Sequence, residues 1–260
     1  MNARPEWVDT HCHLQMIEED DDDVVAAAAV DGVGTIVCVG IDESSTAAAV
    51  EAARAFDDVH ATAGLHPHEA RHLDGQWDAI AALARSAEVV GIGECGFDFY
   101  RDHSPHDAQE AAFRAQIALA KELGKALVIH TRDAWDDTFR VLDDEGPPPR
   151  LVFHCFSGGP QEAARCIELG AVLSIAGPVS YPRNDTLRDA ARSAPLDRLV
   201  VETDAPFLSP QGFRGKTNYP SRVALVGAAL AEALGRPVGE VAASTTATAR
   251  HLFGLPDPVP

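Results

Sequence analysis

Histidines and carboxylates that follow short β-branched runs are the residues of this chain best suited to chemistry. The first such group is Asp9-Thr10-His11-Cys12-His13. Alternate residues of a β-strand share a face, so His11 and His13 can both reach one metal ion. An HxH pair alone has little specificity, and its meaning depends on the other groups of this kind along the chain.

Similar groups follow five more β-branched runs farther along the chain. Their ligand-type and basic residues are His66 and His68, Glu94 and Asp98, His130 and Arg132, His154, and Glu202 and Asp204. Imidazole and carboxylate donors without thiolates suit Zn²⁺, Mn²⁺, Fe²⁺, Co²⁺ or Mg²⁺. One ion takes about four protein ligands at most, so six or seven candidates predict two divalent ions.

The elements that must position these residues are eight short runs with the composition of strands. They are Trp7–Asp9, Thr35–Val39, His60–Gly64, Val89–Gly93, Ala126–Ile129, Leu151–Phe153, Ala171–Ile175 and Leu199–Val201. Because they alternate with Ala- and Leu-rich stretches of helical spacing, we expect right-handed βαβ units and a parallel sheet. Eight units predict an α/β fold, a (β/α)8 TIM barrel, as a single domain over residues 1–260 with its ligand-type residues on one rim. An open doubly wound sheet is the alternative.

Three local features make narrower predictions. A helix starting near Ser104-Pro105 would place four apolar residues on one face: Phe113, Ile117, Ala120 and Leu123. The six carboxylates of residues 18–23 precede a predicted helix at Val24, where negative charge favours the helix dipole. The glycines at 91, 93 and 96 lack the spacing of a nucleotide-binding loop and predict turn geometry.

The composition limits the classes of function. The 40 acidic and 21 basic residues give a formal charge of −19. Because an acidic surface repels polyphosphates, we expect no coating of duplex DNA, and any nucleic-acid chemistry must depend on metal ions and a few local cations. Five cysteines without a CxxC pair argue against disulfides and a thiolate zinc site. No apolar run approaches the roughly 18 residues of a membrane span, so we expect a cytoplasmic protein without a membrane partner. No heptad repeat or exposed apolar stripe stands out, which leaves the oligomeric state open and favours a monomer.

Seven blocks, in order along nearly the whole chain, carry a resemblance to a known family. They are DTHCHL (9–14), GLHPH (64–68), GECGFDFYR (93–101), VIHTRDA (128–134), FHCFSG (153–158), ETDAPFL (202–208) and RGKTNYP (214–220). Together they resemble the TatD family of metal-dependent hydrolases, often described as DNases. The resemblance implies a TIM barrel, a divalent-metal site and phosphodiester cleavage of DNA, often from the 3′ end.

The resemblance also implies roles for individual residues. One ion would be held by His11, His13, Glu94 and Asp204, and the second by Glu94, His130 and His154, with Glu94 bridging the two. The ions would be Mg²⁺, Mn²⁺ or Zn²⁺, and a metal-activated water would attack the phosphodiester. Asp204 would orient that water and accept its proton, and Glu94 would hold the ions at their separation. At position 217 many relatives have a basic residue, and this chain has Thr.

Predicted substrate contacts are basic residues in or after the strand-end loops. They are His66, Arg101, Arg132, Arg214 and Lys216. His66 would contact the scissile phosphate or help bind a third ion, and the others would supply local positive potential. For the arginines and the lysine, ion pairs with the acidic surface are the alternative.

Several nearby residues have less specific readings. We expect His68 to contact loop backbone. Asp9 and Asp98 would orient the ligating histidines or serve as structural hydrogen-bonding groups. The five remaining histidines have no motif around them, and we expect them at the surface or in packing: His60, His72, His103, His106 and His251.

Two other functions compete with a nuclease. An amidohydrolase would act on a lactone, a cyclic amide or a small phosphoester, but many of those barrels bridge their metals with a carboxylated Lys where this chain has Glu94. A noncatalytic metal-binding protein would be expected to have lost a ligand, and this chain keeps every one. We therefore predict a metal-dependent hydrolase of ester bonds, a deoxyribonuclease acting on single-stranded DNA or another phosphodiester.

Overall fold

A computed structural model describes residues 6–255 of the chain. Within that range the strands are β1 Trp7–Cys12, β2 Val33–Val39, β3 Val59–Ala63, β4 Val89–Asp98, β5 Ala126–Arg132, β6 Leu151–Phe153, β7 Val172–Ile175 and β8 Leu199–Val201. The α-helices are α1 Asp21–Val30, α2 Glu43–Ala55, α3 Leu73–Leu83, α4 His106–Leu123, α5 Trp135–Glu145, α6 Pro160–Glu168, α7 Asp185–Ser193, α8 Val223–Leu234 and α9 Val238–Phe253. Short 3-10 helices lie at Leu14–Met16, Pro67–His72, Gly177–Ser180, Leu196–Arg198 and Pro220–Arg222.

The strands follow one another in one sheet in the order of the sequence, β1 to β8, and a helix separates each strand from the next. The pairings β3 with β4, β4 with β5, β5 with β6 and β7 with β8 are parallel. This order and direction match the predicted (β/α)8 class.

The chain divides into two compact units. Residues 38–154 form one unit without interruption, the continuous unit, and residues 6–37 and 155–255 form the split unit. The single domain over residues 1–260 stays a prediction, and residues 1–5 and 256–260 lie outside the described part of the chain. No helix within residues 6–255 is both long and apolar enough to cross a membrane.

Three strands are longer than the apolar runs that predicted them. β1 continues past Asp9 to Cys12, β4 past Gly93 to Asp98, and β5 past Ile129 to Arg132. The cause in the continuous unit is that pairing goes on through the polar residues, with Asp98 opposite Arg132 at the end of β4 and β5. Several candidate ligands are therefore strand residues rather than residues of a following loop.

The glycines of β4 correct the prediction of a turn, because they lie within the strand. Between Ile92 and Cys95 the pairing with β5 shifts by one residue, which is a β-bulge. Gly93 has a φ of +121°, and a Cβ there would lie 2.3 Å from the carbonyl oxygen of Val128. Only glycine fits this close approach. The bulge sets the direction of the next side chain, Glu94.

Helix α4 supplies much of the core of the continuous unit. Pro105 precedes its first residue, as the sequence predicts, and Phe113, Ile117 and Ala120 are fully buried. Leu123, predicted on the same face, is half-buried at the last turn. Each buried Phe or Ile side chain contributes about 1.5–3 kcal/mol relative to exposure, so this face stabilises the unit that carries β4 and β5.

Packing in the split unit brings helix α8 onto β1. A Cβ at Gly227 of α8 would lie 2.2 Å from the Trp7 ring, so this helix position accepts only glycine.

Helix α1 of the split unit begins at Asp21 rather than at the predicted Val24. Three aspartates occupy its first turn, because their charges stabilise the positive end of the helix dipole from within the helix as well as before it.

Candidate metal centre

The split unit brings together His11, His13 and Asp204, which we call the His11 cluster. The Nε2 atoms of His11 and His13 lie 3.8 and 3.6 Å from Asp204 Oδ1. Both histidines are buried, whereas the Asp204 side chain is 13% exposed. One ligand atom from each residue lies within 4.8 Å of the others, a spacing at which one ion can contact all three.

Backbone hydrogen bonds join the two chain segments that carry this cluster. The Asp204 amide donates to the His11 carbonyl at 2.9 Å, and the His13 amide donates to the Ala205 carbonyl at 2.7 Å. Asp204 has a φ of +55°, a left-handed conformation that is costly for a residue with a side chain. The cost is tolerated where neighbouring contacts determine the conformation, and candidate ligands are a common setting for it.

The Asp9 carboxylate joins the same two chain segments by hydrogen bonds. It accepts hydrogen bonds from the Thr203 amide at 2.8 Å, the Thr203 hydroxyl at 2.6 Å and the His11 amide at 3.4 Å. Burial raises the pKa of Asp9 to about 8, although the bonds from Thr203 oppose the rise and the charge of Glu202 adds to it. Asp9 therefore fits the second predicted reading, a structural hydrogen-bonding group that joins the backbone at His11 to the segment before Asp204.

The continuous unit brings together a second set, which we call the Glu94 cluster: His66, Glu94, His130 and His154. Three imidazoles converge on one carboxylate oxygen, Glu94 Oε1. His130 Nδ1 and His154 Nε2 each lie 2.8 Å from it, and His66 Nε2 lies 3.3 Å away. Because these residues come from β4, β5 and the segments after β3 and β6, parallel pairing of neighbouring strands assembles the cluster.

Asp98 contacts His130 of this cluster and the neighbouring His68. Its Oδ2 lies 3.2 Å from His130 Nε2 and 3.0 Å from His68 Nε2. Burial alone would raise the pKa of Asp98, but hydrogen bonds from His130, the Arg101 amide and His68 lower it well below its usual range. Asp98 is thus an ionised carboxylate that orients His130. The His68 imidazole contacts this carboxylate, and its predicted contact with loop backbone stays a prediction.

His66 and His130 carry their protons differently. The His68 amide donates to His66 Nδ1 at 3.1 Å, so neutral His66 carries its proton on Nε2, facing Glu94. Burial lowers the pKa of His66 to about 4, which keeps it neutral near pH 7. Burial also acts to lower the pKa of His130, but its bonds to Asp98 and Glu94 outweigh burial and raise it.

The donors of both clusters fit a divalent cation. They are imidazole nitrogens and carboxylate oxygens, nearly all buried, and burying such carboxylates is favourable when a cation is present. His66, Glu94 and His130 offer ligand atoms within 4.8 Å of one another, as do His11, His13 and Asp204. Each of the six residues predicted as metal ligands lies in one of these two clusters.

The predicted substrate contacts other than His66 lie on the surface. Arg101 and Arg132 are exposed and stand 5.8 and 4.0 Å from the Tyr100 ring, next to the end of the strands that carry Glu94 and His130. In the split unit, Arg214 stands 4.5 Å from the Tyr181 ring, and Lys216 is exposed in the same loop after β8. Neither surface pair belongs to a ligand cluster.

Sequence reasoning assigned no role to Glu202, a fully buried carboxylate in the split unit. Glu202 accepts hydrogen bonds from the Cys155 amide at 2.7 Å and from the Ser174 hydroxyl. Its place two residues before Asp204, the spacing of His11 and His13, was the available signal. His103 and His106 also have partners that no motif predicted, since His103 stacks on His68 and His106 on Phe99.

Comparisons with known proteins find relatives that are named as metal-dependent hydrolases and nucleases. The model of a family described as TatD related DNase matches residues 8–254. The uncharacterized metal-dependent hydrolase YabD of Bacillus subtilis is 39% identical over 95% of this chain and 98% of its own length. A 3′-5′ ssDNA/RNA exonuclease TatD of Klebsiella pneumoniae is 36% identical over 86% of this chain and 88% of its own.

A solved structure gives the same result for the fold. YjjV, a TatD homologue from Escherichia coli, superposes with a TM-score of 0.88 at 31% identity and covers 96% of this chain and 98% of its own. The predicted TIM-barrel class and the predicted kind of enzyme, a metal-dependent hydrolase, are confirmed. This chain belongs to the family of TatD related DNases.

Proposed function

We propose that this chain is a divalent-metal-dependent phosphodiesterase that shortens single-stranded DNA from its 3′ end. The observation that carries the proposal is the presence of two buried sets of imidazole and carboxylate donors, the His11 cluster and the Glu94 cluster. The direction and the strand preference are supported by the relative from Klebsiella pneumoniae that is named a 3′-5′ ssDNA/RNA exonuclease.

Each cluster would hold one ion in this proposal. His11, His13 and Asp204 would hold one, and Glu94, His130 and His154 the other; a shared role for Glu94 stays a prediction of the resemblance. Bound Mg²⁺, Mn²⁺ or Zn²⁺ would supply Lewis-acid stabilisation of phosphoryl charge and a water of lowered pKa. A neutral His130 is needed for binding, so its raised pKa makes loading depend on the loss of a proton.

Asp204, His66 and Asp98 each suit a separate role in the proposed reaction. Asp204 is the most exposed member of the His11 cluster, which suits it to accept a proton from water. His66 holds a proton on Nε2 beside Glu94 at neutral pH, which suits it to donate a hydrogen bond to a phosphoryl oxygen. Asp98 keeps His130 aligned during these steps.

Local cations must offset the field of a chain with a formal charge of −19. Arg101 and Arg132 in the continuous unit and Arg214 and Lys216 in the split unit are exposed and available for phosphates. Because such contacts release counterions from the strand, affinity for DNA should fall as salt rises. A cytoplasmic location and a monomeric state stay predictions of the sequence.

End-labelled single-stranded DNA tests the proposal. Metal-stripped protein would be assayed with Mg²⁺, Mn²⁺ or Zn²⁺ added back, with Glu94→Ala as the inactive control and labels on either end to show the direction. We expect metal-restored shortening from the 3′ end that Glu94→Ala lacks. Protein that binds two ions but cuts no strand would leave a hydrolase with another substrate, and lactones, cyclic amides and small phosphoesters would be assayed next.

A further inference from the structure

Among the Phe, Tyr and Trp side chains of residues 6–255, Tyr100 and Phe207 are the two that are more than half exposed, at 60% and 52%. Tyr100 follows β4 directly, two residues after Asp98. Its position is well defined, since the Tyr100 amide donates to Asp98 Oδ1 at 3.0 Å and the Phe99 amide donates to the Arg132 carbonyl at 3.0 Å. These two bonds fix the backbone at Tyr100, from which the ring projects into solvent.

The backbone of Tyr100 is held by the same carboxylate that orients a candidate metal ligand. Asp98 Oδ1 binds the Tyr100 and Arg101 amides, while Asp98 Oδ2 lies 3.2 Å from His130 Nε2. Tyr100 and the Glu94 cluster therefore lie on opposite sides of one side chain within the continuous unit. A group resting on the ring would be close to the donors that the proposed chemistry uses.

A guanidinium accompanies the ring. The Arg132 guanidinium carbon lies 4.0 Å from the centroid of the Tyr100 ring, and Arg132 pairs with Asp98 in the register of β4 and β5. Planar guanidinium groups and aromatic rings both stack on nucleobases. The Arg132 guanidinium lies over the Tyr100 ring, so the two groups begin a stack that an unpaired base can extend.

Charge favours a base over a bare phosphate as the occupant. Arg101 is followed by Asp102 and Arg132 by Asp133, and all four side chains are exposed. Because a carboxylate follows each arginine in the sequence, the local net charge is near zero, so the phosphate contacts proposed above for Arg101 and Arg132 would be weak by themselves. Stacking does not depend on net charge, and every base has a face that can stack.

We propose that Tyr100 and Arg132 form a stacking site for one unpaired nucleobase of the substrate strand. The proposal rests on the proposed function, and it adds a reason for single-strand preference. Bases in a duplex are already stacked and paired, so they reach such a surface only after unstacking at a cost.

Binding to metal-free protein tests the stacking site apart from cleavage. The probes are a fluorescent oligothymidylate and an abasic strand of equal length and charge, compared by anisotropy at low salt. We expect wild type to bind the base-bearing strand about tenfold tighter, a difference that Tyr100→Ala abolishes. Tyr100→Phe should keep the difference, and Arg132→Lys should reduce it because the charge stays but the plane is lost.

A matched control lies at the opposite end of β4. Arg85 is an exposed arginine paired with Glu122, so Arg85→Lys makes the same chemical change away from Tyr100, and it should leave the preference for bases intact. Equal affinity of wild type for the two strands, no binding of either strand, or an undiminished preference in Tyr100→Ala would overturn the stacking site.

The same measurements separate this proposal from the proposed function. A base preference that depends on Tyr100 in a protein that cuts no strand would leave the stacking site standing and remove the nuclease. Metal-dependent shortening of DNA by wild type, with a base preference unaltered by Tyr100→Ala, would do the reverse.

Discussion

The His11 cluster and the Glu94 cluster use the same donor types but are held in different ways. Imidazole–carboxylate separations in the Glu94 cluster are 2.8–3.3 Å, and a second carboxylate, Asp98, fixes His130 from behind. In the His11 cluster they are 3.6 and 3.8 Å, and backbone bonds together with Asp9 determine the spacing.

The two clusters differ in whether metal binding must displace protons that their side chains share. An ion that enters the Glu94 cluster must displace protons that are shared between imidazoles and carboxylates, because hydrogen-bonding distances already join them. The His11 cluster depends more on the backbone that spaces its ligands. We therefore expect substitutions around Glu94 to change metal affinity and its pH dependence, and substitutions around His11 to change stability as well.

The largest effect on metal content and activity is expected from the loss of the Glu94 carboxylate, which three imidazoles contact. Glu94→Gln removes the charge on which three imidazoles converge, so metal content should fall by at least one ion and activity by more than about 100-fold. Metal analysis after equilibrium dialysis and rates on labelled DNA measure both. Glu122→Gln, an exposed change on α4, is the control. Full occupancy and full rate in Glu94→Gln would show that the carboxylate holds no ion.

A smaller effect is expected at the carboxylate behind the cluster. Asp98→Asn keeps the size of the side chain but weakens its hold on His130, so metal affinity should fall by about 10- to 100-fold. Chelator competition measures the affinity, and the exposed Asp78→Asn serves as control. Because the cause is lost alignment of His130, raising the metal concentration should restore the rate. An unaltered affinity would mean that Glu94 alone positions His130.

In the split unit, the substitution of Asp9 should change how the unfolding temperature depends on pH. The pKa of folded Asp9 is raised from 3.8 to about 8, so its favourable contribution is complete below 3.8 and is lost as pH rises through about 8. Asp9→Asn cannot ionise, so its unfolding temperature should fall less than that of wild type as pH rises across this window. Thermal unfolding of metal-free protein measures this, with the exposed Asp197→Asn as control. Parallel curves would contradict a raised pKa.

The smallest expected effect is a difference in reactivity among the five thiols. Burial raises the pKa of Cys95 and Cys166, and Cys12 and Cys38 are buried as well, whereas Cys155 is half-buried. Because the thiolate is the reactive form, iodoacetamide near neutral pH should alkylate Cys155 first in the folded protein and all five in denaturant. Peptide mass spectrometry reads the order, and early modification of Cys95 would indicate that the continuous unit opens.

The sequence predicted the fold well because β-branched runs and helical spacing repeat eight times. It placed β6 and β8 correctly but ended β1, β4 and β5 too early. Apolar content marks a strand only while its side chains face the core. Where the chain turns to candidate ligands, polar side chains continue the ladder, and composition alone does not show it.

The candidate ligands were predictable because histidines and carboxylates stand beside such runs and the family resemblance implied six of them as ligands: His11, His13, Glu94, His130, His154 and Asp204. The side chains that hold them were harder to assign. The bulge at Gly93, the tautomer of His66 and the burial of Glu202 depend on contacts between segments far apart in sequence. Local pattern does not contain such contacts, so the sequence predicted which residues gather but not how each is oriented.

The division of the chain has a consequence for synthesis on the ribosome. The Glu94 cluster is drawn from one uninterrupted stretch and is complete once His154 has been made, whereas the His11 cluster waits for Asp204, fifty residues later. Chains grow from the N-terminus at roughly 5–20 residues per second, so every residue of the Glu94 cluster has been made several seconds before Asp204 is added. Metal ions in the cell would therefore reach the residues of the Glu94 cluster before Asp204 has been made.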